Sequence, residues 1–149
     1  MTTAFVMIGA PGSGKTTHAR VLAETAGALV VSTDSIREEL YGSEEIQGDW
    51  AEIKRTLENK IKANVGNPVI LDATHYRSSY RREAINLLRR SGYDIVIGMI
   101  VDAPLEDCLA RNSARDRKVP EHVIENMWCV LKSQLASIDK EGFTMTVRV

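Results

Sequence analysis

Residues 9–16 read Gly-Ala-Pro-Gly-Ser-Gly-Lys-Thr, and this octet constrains the fold more than any other stretch. It fits the pattern G-x-x-x-x-G-K-[ST], and its flanks fit too. The apolar run Ala4–Ile8 in front of it reads as a buried strand, and Thr16–Ala26 behind it reads as a helix. A strand, a glycine-rich loop and a helix in that order form a cradle for phosphate. Gly9, Gly12 and Gly14 let backbone N–H groups turn toward an anion with no Cβ in the way. The start of the helix adds partial positive charge. Lys15 is placed to reach the β- and γ-phosphates, and the Thr16 hydroxyl to take a Mg²⁺ position. The octet implies a bound nucleoside triphosphate and leaves open what receives the phosphate.

Strand and helix patterns alternate along the rest of the chain. Ala28–Ser32 is a short apolar run, and Ser35–Leu40 begins a short helix. Trp50, Ile53, Leu57 and Ile61 recur at helical spacing, so Asp49–Asn64 is an amphipathic helix. Val69–Asp72 is a buried strand, Ser79–Ser91 a helix and Ile95–Val101 a strand. Pro104 introduces a helix to Ala114, Pro120 starts another through Ser137, and Phe143–Val149 is a final strand. Strands separated by helices give a parallel sheet covered on both faces. With 149 residues the expectation is a single domain. No apolar run reaches the roughly 20 residues that span a bilayer, and Met1-Thr2-Thr3 carries no basic leader. Cys108 and Cys129 fall on helical patterns and read as reduced core thiols. Those features together set the expectation of a cytoplasmic, membrane-free protein. Trp50 and Trp128 read as core.

The net charge is −1, so the total does not announce a nucleic-acid binder, but its distribution is uneven. Residues 77–90 carry Arg77, Arg81, Arg82, Arg89 and Arg90 against Glu83, and residues 111–118 carry Arg111, Arg115, Arg117 and Lys118 against Asp116. The first stretch is either a phosphate-binding surface or a solvated helix face.

Three further sites carry chemistry. Asp34 follows the second strand, where a carboxylate can take the proton of an acceptor hydroxyl; as an alternative it caps the next helix. Arg37 sits one helical turn later, placed to hold an acceptor phosphate or to pair with Asp34. Asp72 ends an apolar strand, as in a Walker B element. His75 and Tyr76 follow it, either lining the acceptor pocket or capping the next helix. Arg111 and Arg115, four apart, would share a helix face in a lid over the triphosphate, where arginine neutralises transition-state charge and the lid excludes water. The fold class is thus α/β: a P-loop NTPase with a parallel five-stranded sheet, helices on both faces and an Arg-bearing lid.

Four blocks resemble the 5′-hydroxyl polynucleotide kinases: Gly9–Thr16, Ser32-Thr33-Asp34-Ser35-Ile36-Arg37, Leu71-Asp72-Ala73-Thr74, and Arg111-Asn112-Ser113-Ala114-Arg115 with Val119-Pro120 beyond. The resemblance implies ATP as donor and Mg²⁺ as its partner, with Gly12, Ser13, Gly14, Lys15, Thr16, Thr17, Arg111 and Arg115 on the nucleotide and Thr16 toward the metal. It implies Lys15, Asp34 and Arg115 as catalytic, with Asp34 the general base. Arg37 would bind the acceptor's phosphate and Asp72 would support the substrate site. The acceptor would be the 5′-hydroxyl of a DNA or RNA end, as in nucleic-acid repair. The family's phosphatase signature D-x-D does not occur in this sequence, so 3′-phosphate removal is not expected. Zeta-toxin-like proteins, transfer-RNA kinases and small-molecule kinases share the first two blocks. They keep a small acceptor open as an alternative, and a non-catalytic ATP-binding switch stands as a third.

Overall fold

The computed structural model describes residues 2–116 and 118–149. Strands β1 (Thr3–Ile8), β2 (Leu29–Ser32), β3 (Val69–Asp72), β4 (Ile95–Ile100) and β5 (Met145–Arg148) form one sheet in the order β2-β3-β1-β4-β5. Every neighbouring pair is parallel. The interior strands explain their own composition. All four residues of β3 are buried, and so are Ala4, Val6, Met7 and Ile8 of β1. Helices lie over both faces, so a strand without alternation is what the sheet requires.

The helices are α1 (Lys15–Ala26), α2 (Thr33–Tyr41), α3 (Trp50–Ala63), α4 (Ser78–Arg90), α5 (Leu105–Ser113) and α6 (Glu121–Gln134). On one face Val6, Ile8, Val69 and Leu71 cluster with Ile53, Leu57 and Ile61 of α3 and with Ala84, Leu87 and Leu88 of α4. On the other, Met7 and Ile70 meet Ala19 of α1. The two faces of β1 and β3 therefore anchor different helices.

Strand order sets the site. From β1 the chain crosses to β2, beyond β3, and later returns to place β4 on the other flank of β1. The connections after β1 and β3 pass to opposite faces of the sheet, with α1 on one and α4 on the other, and leave a crevice at the carboxyl ends. Register keeps the tips level, with Val6 opposite Leu71 and Ser32 opposite Asp72. The Gly9 N–H donates to the Thr74 carbonyl at 3.0 Å, tying the two loops together.

Several expectations change. Helix α2 starts at Thr33, two residues early, because the Ser32 hydroxyl accepts from the Ser35 N–H at 3.3 Å and is the cap. Asp34 is therefore in the first turn and is not the cap. Helix α5 stops at Ser113, so Arg115 lies in a turn and shares no helix face with Arg111. Helix α6 ends at Gln134 and tightens into a 3₁₀ segment over Leu135–Lys140. The last strand shrinks to Met145–Arg148. Trp50 is 47% exposed, since it opens α3 ahead of the buried Ile53-Leu57-Ile61 stripe. Cys108 is buried as expected, but Cys129 is exposed on the outer side of α6. Among the described residues no helix is long and apolar enough to cross a membrane.

Candidate active site

Two residues of α5 hold the glycine loop from outside. Gly12 has φ +80°, and a Cβ there would collide with the Cys108 carbonyl oxygen. Helix and loop approach backbone to backbone, which only glycine permits. One turn along, Arg111 Nη1 donates to the carbonyls of Gly12 at 3.2 Å and Ser13 at 3.0 Å. The peptide plane then turns the Gly14 N–H away from the guanidinium. Gly14 itself sits at φ +98° as the N-cap of α1. Ser13 is buried and lines a small cavity with Ala10, Val101 and Trp128. Thr17 is exposed on the first turn of α1.

Lys15, Thr16 and Asp72 meet in the crevice. The Thr16 hydroxyl donates to Asp72 Oδ2 at 3.2 Å. Burial pushes the Asp72 carboxyl above its usual range; the Lys15 charge and the Thr16 hydrogen bond pull it back, and the Asp34 charge pushes it up. Burial lowers the Lys15 ammonium, the charges of Asp72 and Asp34 raise it, and that of Arg115 lowers it again. Asp34, just past the end of β2, and Asp72, at the end of β3, thus act on Lys15 through space, and Arg115 acts on it from beyond α5. The paired hard oxygens of Thr16 and Asp72 suit Mg²⁺, and the left-handed glycines leave open an anion cradle that side chains would crowd. The donor set fits a magnesium nucleotide.

On the β2 side, Arg37 Nη1 bonds Asp34 Oδ1 at 3.4 Å and Arg37 Nε donates to the Gln47 carbonyl at 3.4 Å. The Arg37 side chain is 16% exposed and that of Asp34 45%. The carboxylate is therefore more open to solvent than the guanidinium. The structure takes the pairing alternative for Arg37.

The loop after β3 is braced from below. His75 has φ +46°, and its Nδ1 is 2.7 Å from the Met7 carbonyl. Burial drives its pKa down to about 4, so at neutral pH the uncharged ring donates Nδ1–H to Met7. It caps no helix; Arg77 occupies the N-cap of α4 without a side-chain capping bond. Arg81 was expected on a solvated face or a phosphate surface and is neither. It is 0% exposed. Its Nε and Nη2 grip Glu141 at 2.6 and 2.8 Å, Nη2 also bonds Gln134 Oε1 at 2.6 Å, and Nη1 donates to the His75 carbonyl at 3.0 Å. Of the other arginines in that stretch, Arg89 bonds the carbonyls of Asp94 and Gly142, and Arg90 pairs with Glu58.

Sequence reasoning missed Asn112. It is 3% exposed. Its Nδ2 donates to the Val119 carbonyl at 2.8 Å, and its Oδ1 accepts from the Val119 N–H at 2.9 Å. The segment between α5 and α6 is thereby closed at its base, with the exposed Arg115 on it. A signal was present, since an asparagine on the buried side of a helix needs partners for its amide. Arg117, expected in the same lid, lies outside the described residues.

Comparison with known proteins agrees with this architecture. A family model described as an AAA domain matches residues 5–134. The L-seryl-tRNA(Sec) kinase of Methanococcus maripaludis is 30% identical over 134 residues, covering 83% of this chain and 50% of that protein. The chain thus spans about half the length of the curated relative it matches. Among solved structures, a chain of the Pnkp1/Rnl/Hen1 RNA repair complex superposes with a TM-score of 0.82 at 22% identity, covering 93% of this chain and 46% of that one. A gluconokinase from Sinorhizobium meliloti 1021 gives 0.60 at 21% identity, covering 99% and 81%. Shikimate kinase from Acinetobacter baumannii gives 0.60 at 19%, covering 98% and 83%. At these identities the structural likenesses establish the fold.

Proposed function

This chain belongs to the AAA domain family, and we propose that it acts as an ATP-dependent kinase on the 5′-hydroxyl of a polynucleotide end. The observation that carries the kinase reading is the meeting of a phosphate cradle with two carboxylates of different character. Asp72 is buried and bonded to Thr16, whereas Asp34 is half-exposed beside Arg37. A pure nucleotide switch has no use for the second.

In this reading Lys15 and the loop N–H groups hold the triphosphate, with Gly12, Ser13, Gly14, Thr16 and Thr17 around it. Thr16 and Asp72 would hold Mg²⁺, which when bound neutralises charge on the β- and γ-phosphates. Asp34 accepts the proton of the acceptor hydroxyl as its oxygen bonds the γ-phosphorus. The bond from that phosphorus to the bridging oxygen breaks, and ADP leaves. Arg115 approaches the transferring group and offsets its charge. Arg111 acts through the loop, holding its carbonyls back. Arg37 orients Asp34 and offers its remaining N–H groups to an acceptor phosphate.

The polynucleotide acceptor is supported by the four sequence blocks and by the RNA repair neighbour, which has the highest TM-score of those given above. A second reading, a hydroxyl carried on transfer RNA, is favoured by the 30% identity to a seryl-tRNA kinase. The test is transfer of labelled γ-phosphate from ATP to a 5′-hydroxyl oligonucleotide, with its 5′-phosphorylated form and Lys15→Ala as controls. Transfer by the wild type to the 5′-hydroxyl end alone supports the proposal. Transfer to seryl-tRNA or to a metabolite in its place overturns the acceptor, and ATP binding without any transfer overturns the kinase.

A further inference from the structure

The chain has only two tryptophans, four tyrosines and two phenylalanines, yet one corner collects several of them on its surface. Tyr80 and Trp50 are 46% and 47% exposed. The rings of Tyr76 and Tyr80 meet edge to face, 5.6 Å between centroids. The Arg77 guanidinium lies 5.3 Å above the Tyr76 ring, with Nε donating to the Tyr76 hydroxyl at 3.3 Å. The Trp50 indole N–H donates to Glu83 Oε1 at 3.3 Å, one helical turn from Tyr80. Glu83 is itself neutralised by Lys54 at 3.0 Å. Each ring thus has a partner, and the carboxylate that Trp50 bonds is paired.

Along the chain this corner follows closely on the acceptor side of the crevice. Trp50 follows, by three residues, the Gln47 whose carbonyl holds Arg37. Tyr76 lies four residues past Asp72, on the loop braced by His75. Isolated exposed aromatics are ordinary, but Tyr80 and Trp50, packed or bonded on one helical turn beside an exposed arginine, match a strand of flat bases joined by phosphates. We infer that Tyr80 and Trp50, with Arg77, form a stacking platform for the unpaired nucleotides next to the acceptor hydroxyl. The inference rests on the nucleic-acid reading of the site and adds what that reading lacks, a surface that reads bases without regard to sequence.

The test is fluorescence anisotropy with 3′-labelled single-stranded hexanucleotides, DNA and RNA, each also made with its first two nucleotides abasic. The wild type should bind the base-bearing form about a hundredfold tighter, each of two stacked bases contributing a factor of about ten. Tyr80→Ala and Trp50→Ala should each lose about that factor on the base-bearing form and little on the abasic one, while Tyr80→Phe retains affinity. Met145→Ala, which removes an equally exposed apolar side chain from β5 at the opposite edge of the sheet, controls for non-specific loss. Equal affinity of wild type and both alanine variants for the base-bearing form, equal losses on both forms, or no binding by the wild type overturns the platform. The two readings fail separately. Base-dependent binding without phosphoryl transfer removes the kinase acceptor and keeps the platform; transfer that ignores both alanine variants does the reverse.

Discussion

Replacing Arg81 by methionine should be among the most damaging single changes in this protein. The guanidinium makes four hydrogen bonds to three residues and is fully buried. Glu141, its partner, has a side chain only 5% exposed. Methionine fills much of the volume but leaves that carboxylate buried and unpaired, a loss of about 3–5 kcal/mol. A domain of this size melts roughly 2–4 °C lower for each kcal/mol, so the midpoint should fall by about 6–20 °C. Against a total stability of roughly 5–15 kcal/mol this is a large share. Thermal and urea denaturation followed by far-ultraviolet circular dichroism measure it. The double variant Arg81→Met/Glu141→Leu removes both charges and should recover most of the loss, because the pair's own net contribution is small beside the cost of orphaning one member. A single variant melting within about 2 °C of wild type would refute the reasoning. So would a double variant no better than the single.

Three other changes test the site. Asn112→Ala strands the Val119 N–H and carbonyl and should cost about 1–3 kcal/mol in urea denaturation, together with a raised KM for ATP as the segment bearing Arg115 loosens; an unchanged KM would separate that segment from the nucleotide. His75 is held neutral in the fold with a pKa of about 4, against about 6.5 unfolded. Below pH 6.5 the unfolded chain therefore binds the extra proton, and stability should fall by up to ~3 kcal/mol as pH drops toward 4; His75→Asn, which tolerates the positive φ, should flatten that slope, and an imidazole midpoint near 6.5 by NMR would contradict it. Asp72→Asn removes a charge that burial disfavours while keeping an acceptor for Thr16, so it should melt no lower than wild type and transfer phosphate at least about 100-fold more slowly, as a stopped labelled-ATP assay would report.

Most of the sheet was legible because parallel strands under two helical layers must be apolar throughout, and the runs at Ala4–Ile8 and Val69–Asp72 show it. The glycine loop was legible because its conformation admits so few residues. Arg81 was not. Its neighbours in sequence are charged, and its partners Gln134 and Glu141 lie more than 50 residues away, where no periodicity points to them. Trp50 misled for a related reason: it continues the spacing of Ile53, Leu57 and Ile61 but stands one turn beyond the core those residues reach. Arg115 was placed on a helix that Asn112 ends by turning its side chain to Val119 instead of to solvent. In each case the local pattern was right and the packing around the residue, not its spacing, decided its surroundings.

The strand order β2-β3-β1-β4-β5 also dictates when the protein can take shape. Of these five strands β1 is made before the others, yet both its partners come much later, β3 beginning at Val69 and β4 at Ile95. At a synthesis rate of about 5–20 residues per second, the wait for β3 alone is several seconds. During it an apolar strand and the glycine loop behind it have no sheet to join. Pairings of such long sequence separation form slowly even in the finished chain. The phosphate cradle is thus translated well before the strands that give it form, and refolding should be both slow and prone to self-association until residues near 100 have found β1.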